Sequence, residues 1–207
     1  MLRTMSAPPK IGPATIADLM AIPEEERRHE IIDGFLVEKG AATPPHGRAQ
    51  ARLARWLGPY DRKSGGRLPG GWWFVTEVEI QLESSQVVRP DVAGWRRDRL
   101  AVLPGAMPVV VRPDWVCEVL STNRQNDLIK KKRAFHRDQV GHYWIVDPVD
   151  ETLTVYRWHT AGYIEVLIAD RSQRVRAEPF DGVELFVGML FGDDDDEQED
   201  DTVPPQM

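Results

Sequence analysis

The chain alternates short apolar runs with turn residues, and only three segments carry apolar residues at helical spacing. Runs rich in aromatic and β-branched residues predict strands over 72–82, 87–95, 115–120 and 142–147, and a terminal hairpin over 152–158 and 163–169. A shorter hairpin is predicted over 31–38, where Asp33-Gly34 forms the turn. The strands 72–82 and 87–95 are separated by only four residues, so we expect them to pair as a hairpin.

The helical segments complete a mixed fold. Thr15 is expected to cap a short helix, with Asp18 forming a weaker version of the capping box. Residues 46–57 follow a Pro-Pro breaker and show helical spacing, and a third helix with Thr122 or Asn123 as its cap is predicted to run to about Gln139. This order indicates one mixed α/β (α+β) domain whose sheet is rich in antiparallel hairpins.

Charge is concentrated at the C-terminus. The net charge is −7, but residues 193–201 hold eight of the 33 acids and no base, which leaves 25 acids against 26 Lys and Arg in the rest of the chain. The predicted organisation is a loose arm over 1–14, a folded domain over 15–191 and an acidic tail over 192–207. The tail is expected to be disordered and solvating, or else to mimic nucleic-acid charge in a basic cleft.

Several classes of protein are disfavoured. No apolar run approaches the roughly 20 residues of a membrane span, and the start has no apolar segment typical of a signal peptide, so a cytoplasmic protein without membrane contact is expected. The single cysteine, Cys117, excludes an internal disulfide framework. Neither a glycine-rich phosphate loop nor a serine elbow is present.

Two acids in apolar strands indicate the chemistry. Glu118 lies inside the run 115–120, where burying a carboxylate is costly unless a partner compensates it. Asp91 follows Pro90 at the start or edge of an earlier strand. Two carboxylates brought together either share a proton or bind a cation, and oxygen ligands suit Mg²⁺ or Mn²⁺. The alternative is that Asp91 ends a turn and Glu118 pairs with an arginine.

Lysines in the third helix could supply positive charge to such a site. At helical spacing, Leu128, Ile129 and Phe135 form the inward face, Lys132 projects closest to it and Lys131 lies at its edge. Periodicity alone therefore does not choose between the two lysines. A solvated basic helix is the alternative.

Two further residues have a functional and a plain interpretation. Glu30 ends a charged helical turn that begins at Glu24, and it is either a further acid reaching the metal through water or a solvated helix residue. His46 opens the second helix, where it is either a base or phosphate contact or a capping or surface histidine.

Six motifs occur in an order that resembles a known family. They are Glu30-Ile31-Ile32-Asp33-Gly34, Pro44-Pro45-His46, Arg89-Pro90-Asp91-Val92, Glu118-Val119-Leu120-Ser121, Asp127…Lys131…Phe135 and Tyr143-Trp144-Ile145-Val146-Asp147-Pro148. Over about residues 15–190 they resemble the bacterial endonucleases of the Uma-two type, in the PD-(D/E)XK nuclease superfamily. The resemblance implies a restriction-endonuclease-like mixed sheet flanked by helices, and a Mg²⁺- or Mn²⁺-dependent enzyme that hydrolyses DNA.

The resemblance also implies roles for individual residues. Asp91 and Glu118 would bind the metal with the main-chain carbonyl of Val119, while Glu30 would position water or a second ion. Leu120 stands where the superfamily usually has its lysine. The family spacing Asp-x-x-x-Lys-x-x-x-Tyr instead selects Lys131 as the catalytic lysine.

Candidate substrate contacts are His46 and Lys132, and a homodimer is compatible with the resemblance. Two positions depart from the family pattern: Phe135 replaces a tyrosine, and Gln139 replaces the glycine that usually closes the third helix. Because the body is near neutral, a nuclease-like fold used as a non-catalytic binding or regulatory module is the second hypothesis. A third, an acid-tailed interaction protein, depends only on residues 193–201.

Overall fold

The computed structural model describes residues 13–83, 86–121 and 124–194. Nearly all of the predicted N-terminal arm, most of the acidic tail and the two cap candidates Thr122 and Asn123 therefore lie outside the described residues. Within these ranges, no helix has the length and apolar composition that crossing a membrane requires.

The elements follow the predicted order. They are α1 (Ile16–Met20), a 3₁₀ turn (Glu24–Glu26), β1 (His29–Ile32), β2 (Phe35–Glu38), α2 (Pro44–Trp56), β3 (Trp72–Thr76), β4 (Ile80–Gln81), β5 (Val87–Val88), β6 (Val92–Arg96), β7 (Trp115–Val119), a π-helix (Asn126–Lys131) continued by α3 (Lys132–Arg137), β8 (His142–Asp147), β9 (Thr152–Arg157), β10 (Ile164–Asp170), β11 (Arg174–Val175), β12 (Leu185–Phe186) and α4 (Gly188–Phe191). The capping box at Thr15 and Asp18 is confirmed.

The main sheet has six strands in the order β10-β9-β8-β7-β6-β3, and only β7 and β8 run parallel. A parallel pair needs a crossover, which here is the π-helix and α3. Alternate residues of the strands enter two cores. Helix α2 covers one face, where Leu53 packs with Trp115 and Trp144, and α3 covers the other, where Phe135 packs with Tyr143.

The predicted hairpin of strands 72–82 and 87–95 forms, but it is divided between two sheets. Its outer halves, β3 and β6, pair in the main sheet, whereas β4 and β5 pair in a four-stranded sheet of order β2-β1-β5-β4. One strand breaks at Glu77, which has φ +54°, and the other breaks at Arg89-Pro90. Asp91 therefore lies where the chain crosses from the small sheet to the main sheet.

The prediction that Glu30 lies in a helical turn is wrong. The helical turn ends at Glu26, and Glu30 lies in strand β1 opposite Val37. The neighbouring Ile31 and Ile32 are buried, so the strand pattern extends back past the charged run. Glu30 itself is buried, which also excludes the solvated interpretation.

The predicted inward face of the third helix is partly wrong. Leu128 and Ile129 are 38% and 46% exposed, although Phe135 is buried as expected. The first part of this helix is a π-helix, whose i→i+5 hydrogen bonds place more residues in each turn than the α-helical pattern assumes. The change of phase turns Lys131 inward, and its side chain is buried.

The helix ends two residues earlier than predicted, at Arg137, and Gln139 then adopts a left-handed conformation with φ +58°. Residues other than glycine are strained in this left-handed conformation, because their Cβ crowds the following carbonyl oxygen. This is the position at which the family resemblance expects glycine.

We therefore expect Gln139→Gly to raise the free energy of unfolding by up to about 1 kcal/mol, since glycine removes that strain. Urea unfolding of the two proteins would measure the difference. Gln139→Ala is the matched control, because it retains Cβ and should give no gain. A glycine variant less stable than the wild type would contradict the interpretation.

Candidate active site

A cavity of about 10 Å³ lies where the two sheets meet the N-terminus of α2 and the π-helix. This is room for roughly one atom the size of a water oxygen. The cavity is lined by Glu30, Lys39, Gly40, His46, Asp91, Glu118, Val119, Ser121, Asn126, Asp127 and Lys131. The structure thus brings together every predicted site residue except Lys132.

Asp91 is fixed by contacts on both carboxylate oxygens. Its Oδ1 accepts a hydrogen bond from Lys39 Nζ at 2.7 Å, and its Oδ2 lies 2.6 Å from the main-chain nitrogen of Val119 and 3.2 Å from His46 Nε2. The side-chain amide of Gln50 donates to the main-chain carbonyl of Asp91 at 2.8 Å. The β6–β7 ladder ends just before this point, so Asp91 and Glu118 are the next residues along the two strands.

The contacts of Asp91 keep it charged. Burial alone would raise the pKa of Asp91, but the hydrogen bond with His46 and the charge of Lys39 outweigh burial and lower that pKa well below its ordinary value. The other ring nitrogen of His46, Nδ1, is buried without a hydrogen-bond partner among the described residues. His46 is therefore neither a helix cap nor a surface residue, and its polar contact is with Asp91.

Lys131 connects three acids. Its Nζ lies 3.0 Å from Glu30 Oε1, 3.1 Å from Glu118 Oε1 and 3.0 Å from Asp127 Oδ1. Lys132, the other lysine that periodicity allows, places its Nζ over the ring of Tyr156 and does not line the cavity. The geometry thus separates the two lysines in the way that the family register implies.

Burial opposes charge on both Lys131 and Glu118. Burial alone would lower the pKa of Lys131, but Glu118, Glu30 and Asp127 outweigh it and raise that pKa, so Lys131 stays an ammonium. Burial raises the pKa of Glu118 well above its ordinary value, with Lys131 opposing and Asp127 and Asp91 adding to the rise. The charged form of Glu118 therefore needs further positive charge.

The cavity residues fit a divalent cation in three respects. Four carboxylates, from Glu30, Asp91, Glu118 and Asp127, face only two ammonium groups, from Lys39 and Lys131. With all four carboxylates ionised this leaves two negative charges, and a divalent ion would balance them and favour the charged form of Glu118. The acids offer hard oxygen donors of the kind that Mg²⁺ and Mn²⁺ prefer, and the cavity has room for one atom.

The two lysines already bind carboxylate oxygens that an ion would use. In the described ranges, no three His, Cys, Asp or Glu side chains lie together as a ready ligand set. Val119 contacts Asp91 through its N–H group, and the metal-binding role of its carbonyl stays a prediction.

Sequence reasoning missed Lys39 and Gln50 and gave Asp127 no role. Lys39 follows β2, and its contacts with Asp91, Glu77 and the carbonyl of Arg89 all cross about 40 to 50 residues of sequence, so no local pattern marks it. Asp127 was detectable, because Asp and Lys four residues apart on a helix commonly form an ion pair.

Of the two departures from the family pattern, Phe135 removes a hydroxyl group near the site. A hydroxyl is nevertheless present beside it, because Tyr143 packs on Phe135 and donates to the carbonyl of Asp127 at 2.8 Å. This bond connects strand β8 to the π-helix that carries Lys131.

Comparison with known proteins agrees with the fold and the motifs. Residues 16–188 match the family model described as "Uma2: Putative restriction endonuclease". The chain belongs to the Uma2 family. The match includes every residue that lines the cavity. No curated protein matches the chain.

A solved structure shows the same fold. It is described as a putative nuclease belonging to DUF820 from Anabaena variabilis ATCC 29413, and it aligns with a TM-score of 0.69 at 20% identity, covering 86% of this chain and 98% of that chain. The mixed sheet flanked by helices that the sequence predicted is thereby confirmed.

Lys131→Met should destabilise the protein by about 3–5 kcal/mol near pH 7, since it leaves three buried acids without their cation. Burial raises the pKa of both Glu118 and Asp127. These acids take up protons in the folded state as the pH falls, so the loss should shrink towards about pH 4. Urea unfolding in EDTA at several pH values measures both effects.

Lys132→Met is the matched control. It removes a contact with Tyr156 at the surface of the helix, and it should cost no more than about 1 kcal/mol with little dependence on pH. Equal losses in the two variants would contradict the central position of Lys131.

Proposed function

We propose that this protein is a divalent-metal-dependent endonuclease that hydrolyses phosphodiester bonds in DNA. The observation that carries the proposal is the buried placement of Asp91 and Glu118 at one cavity beside the Lys131 ammonium. Family membership supports the same conclusion, because the Uma2 description is that of a restriction endonuclease.

In this proposal Asp91 and Glu118 would hold Mg²⁺ or Mn²⁺ together with the main-chain carbonyl of Val119. When bound, such an ion activates a water molecule and polarises the scissile phosphate. The N–H of Val119 and the ring of His46 hold the Asp91 carboxylate in one orientation. His46 is thus a positioning residue here, because it is buried against Asp91.

Lys131 supplies positive charge where the reaction develops negative charge on the phosphate oxygens. Its own position is fixed in advance by Asp127 and Glu30, which reduces the reorganisation needed during the reaction. Glu30 accepts a hydrogen bond from the main-chain nitrogen of Arg89 at 2.7 Å, and it would orient a water molecule or a second ion. Lys132 as a phosphate contact stays a prediction, as does the homodimer.

Lys39 should oppose metal binding. Its ammonium lies 2.7 Å from Asp91 Oδ1 and 2.8 Å from Glu77 Oε2. Like charges about 4 Å apart repel by about 4 kcal/mol at an effective dielectric constant of 20. Lys39→Met should therefore bind Mn²⁺ at least roughly tenfold more tightly than the wild type in calorimetry.

Lys63→Met is the control for this titration, because Lys63 is an exposed residue that does not line the cavity. Its affinity for Mn²⁺ should equal that of the wild type. If Lys39→Met bound Mn²⁺ no better than Lys63→Met does, the ion would not use the Asp91 carboxylate.

Cleavage of supercoiled plasmid tests the function itself. The wild type should nick the plasmid with Mg²⁺ or Mn²⁺ and not with EDTA, whereas Glu118→Gln should lower the rate at least about 100-fold. Glu79→Gln is the matched control, because Glu79 is a buried acid that pairs with Arg27 at 2.9 Å outside the cavity. Nicking by Glu118→Gln at the wild-type rate would refute the assignment of this acid.

Plasmid nicking and the Mn²⁺ titration together separate the enzyme from a non-catalytic binding module. The ion pairs of Lys39 and Lys131 already compensate part of the charge of the cavity, which is the observation that favours the module. A wild type that neither nicks DNA nor binds Mn²⁺ would support the module and contradict the nuclease.

A further inference from the structure

The exposed side of α2 carries a row of three arginines. Arg48, Arg52 and Arg55 are spaced four and three residues apart, which places them on one side of the helix. We refer to these three residues as the arginine row. The adjoining side of α2 packs Leu53 and Trp56 into the core, so the row lies along the border between the buried and the exposed sides of the helix.

The start of the acidic tail already contacts this row. Arg48 donates from Nη2 to the carbonyl of Gly192 at 3.3 Å, and Arg52 Nη2 lies 3.7 Å from Asp194 Oδ1. Between these two contacts, Asp193 binds Arg171. The chain therefore leaves the folded domain along α2, running from its N-terminal half towards its C-terminus.

The spacing of the contacts is within the reach of a chain that becomes extended after the turn at Gly192. Arg48 and Arg52 are about 6 Å apart along the helix axis at 1.5 Å per residue, and two residues of extended chain cover up to about 6.6 Å at 3.3 Å per residue. Arg55 follows about 4.5 Å further along the helix, which is one or two extended residues. Continued in the same direction, the chain would bring Asp195 or Asp196 to Arg55.

A groove continues along this path. It has a volume of about 450 Å³, and Arg52, Arg55, Trp56, Pro59 and Asp194 are among the residues that line it. Arg55 is exposed and makes no ion pair or hydrogen bond with its side chain in the part of the chain that the structure describes. Six acids lie within residues 195–201, immediately beyond Asp194.

We propose that residues 195–201 bind in this groove against the arginine row of the same molecule. The attraction is electrostatic, and the tether supplies a high effective concentration, so several weak pairs suffice. Salt should weaken the contact, because both partners are exposed to solvent. The bound tail would neutralise arginines that otherwise attract polyanions. This inference does not depend on nuclease activity.

Zero-length carbodiimide crosslinking of the full chain tests the proposal. Arg55→Lys keeps the positive charge of the row and introduces an amine that can be joined to a carboxylate. Peptide mass spectrometry should find this lysine crosslinked to acids within 195–201, and the yield should fall in 0.5 M NaCl, where the Debye length is only about 4 Å. Arg133→Lys, an exposed position on α3 across the main sheet, is the matched control.

The crosslink at position 55 should exceed that of the control at least several-fold. Equal yields from the two variants would overturn the proposal. Crosslinking a mixture of isotope-labelled and unlabelled chains shows whether the tail comes from the same molecule. If most crosslinks joined a labelled chain to an unlabelled one, the groove would bind the tail of a second copy, and intramolecular binding would be overturned. Should Arg55→Lys fail to fold, as judged by thermal unfolding, Arg52→Lys gives the same test.

Discussion

The ion pairs of Lys131 connect the three parts of the molecule that form the cavity. Glu30 belongs to the small sheet, Glu118 to the main sheet and Asp127 to the π-helix, and one buried ammonium binds all three. Burying one ammonium is costly, and burying three unpaired carboxylates would cost more. The positions of these elements therefore depend on each other through a single side chain.

The second constraint is the division of one long hairpin between two sheets. The breaks at Glu77 and at Arg89-Pro90 let the chain leave the small sheet and enter the main sheet at Asp91. Lys39 contacts both sides of this crossing, through Glu77 and Asp91. Asp91, the proposed metal ligand, thus lies at a point that the fold must fix in any case, which suits a site that needs exact placement of oxygen donors.

The strands and the two acids Asp91 and Glu118 could be predicted, because an acid within an apolar strand stands out in the sequence. The inward turn of Lys131 could not be derived from periodicity, since the π-helix changes the phase that an α-helical pattern assumes. Glu30 was placed in a helix because of the charged run before it, whereas pairing with β2 decides its position. Lys39 carries no local signal, because its partners are distant in sequence.

The central claim is that Asp91 and Glu118 share one divalent ion, and anomalous diffraction from crystals containing Mn²⁺ tests it most directly. The predicted result is one strong peak between the two carboxylates, with Lys39 displaced from Asp91 Oδ1. Crystals in which that position has no peak, and in which Lys39 and Lys131 keep the ion pairs described above, would contradict the claim.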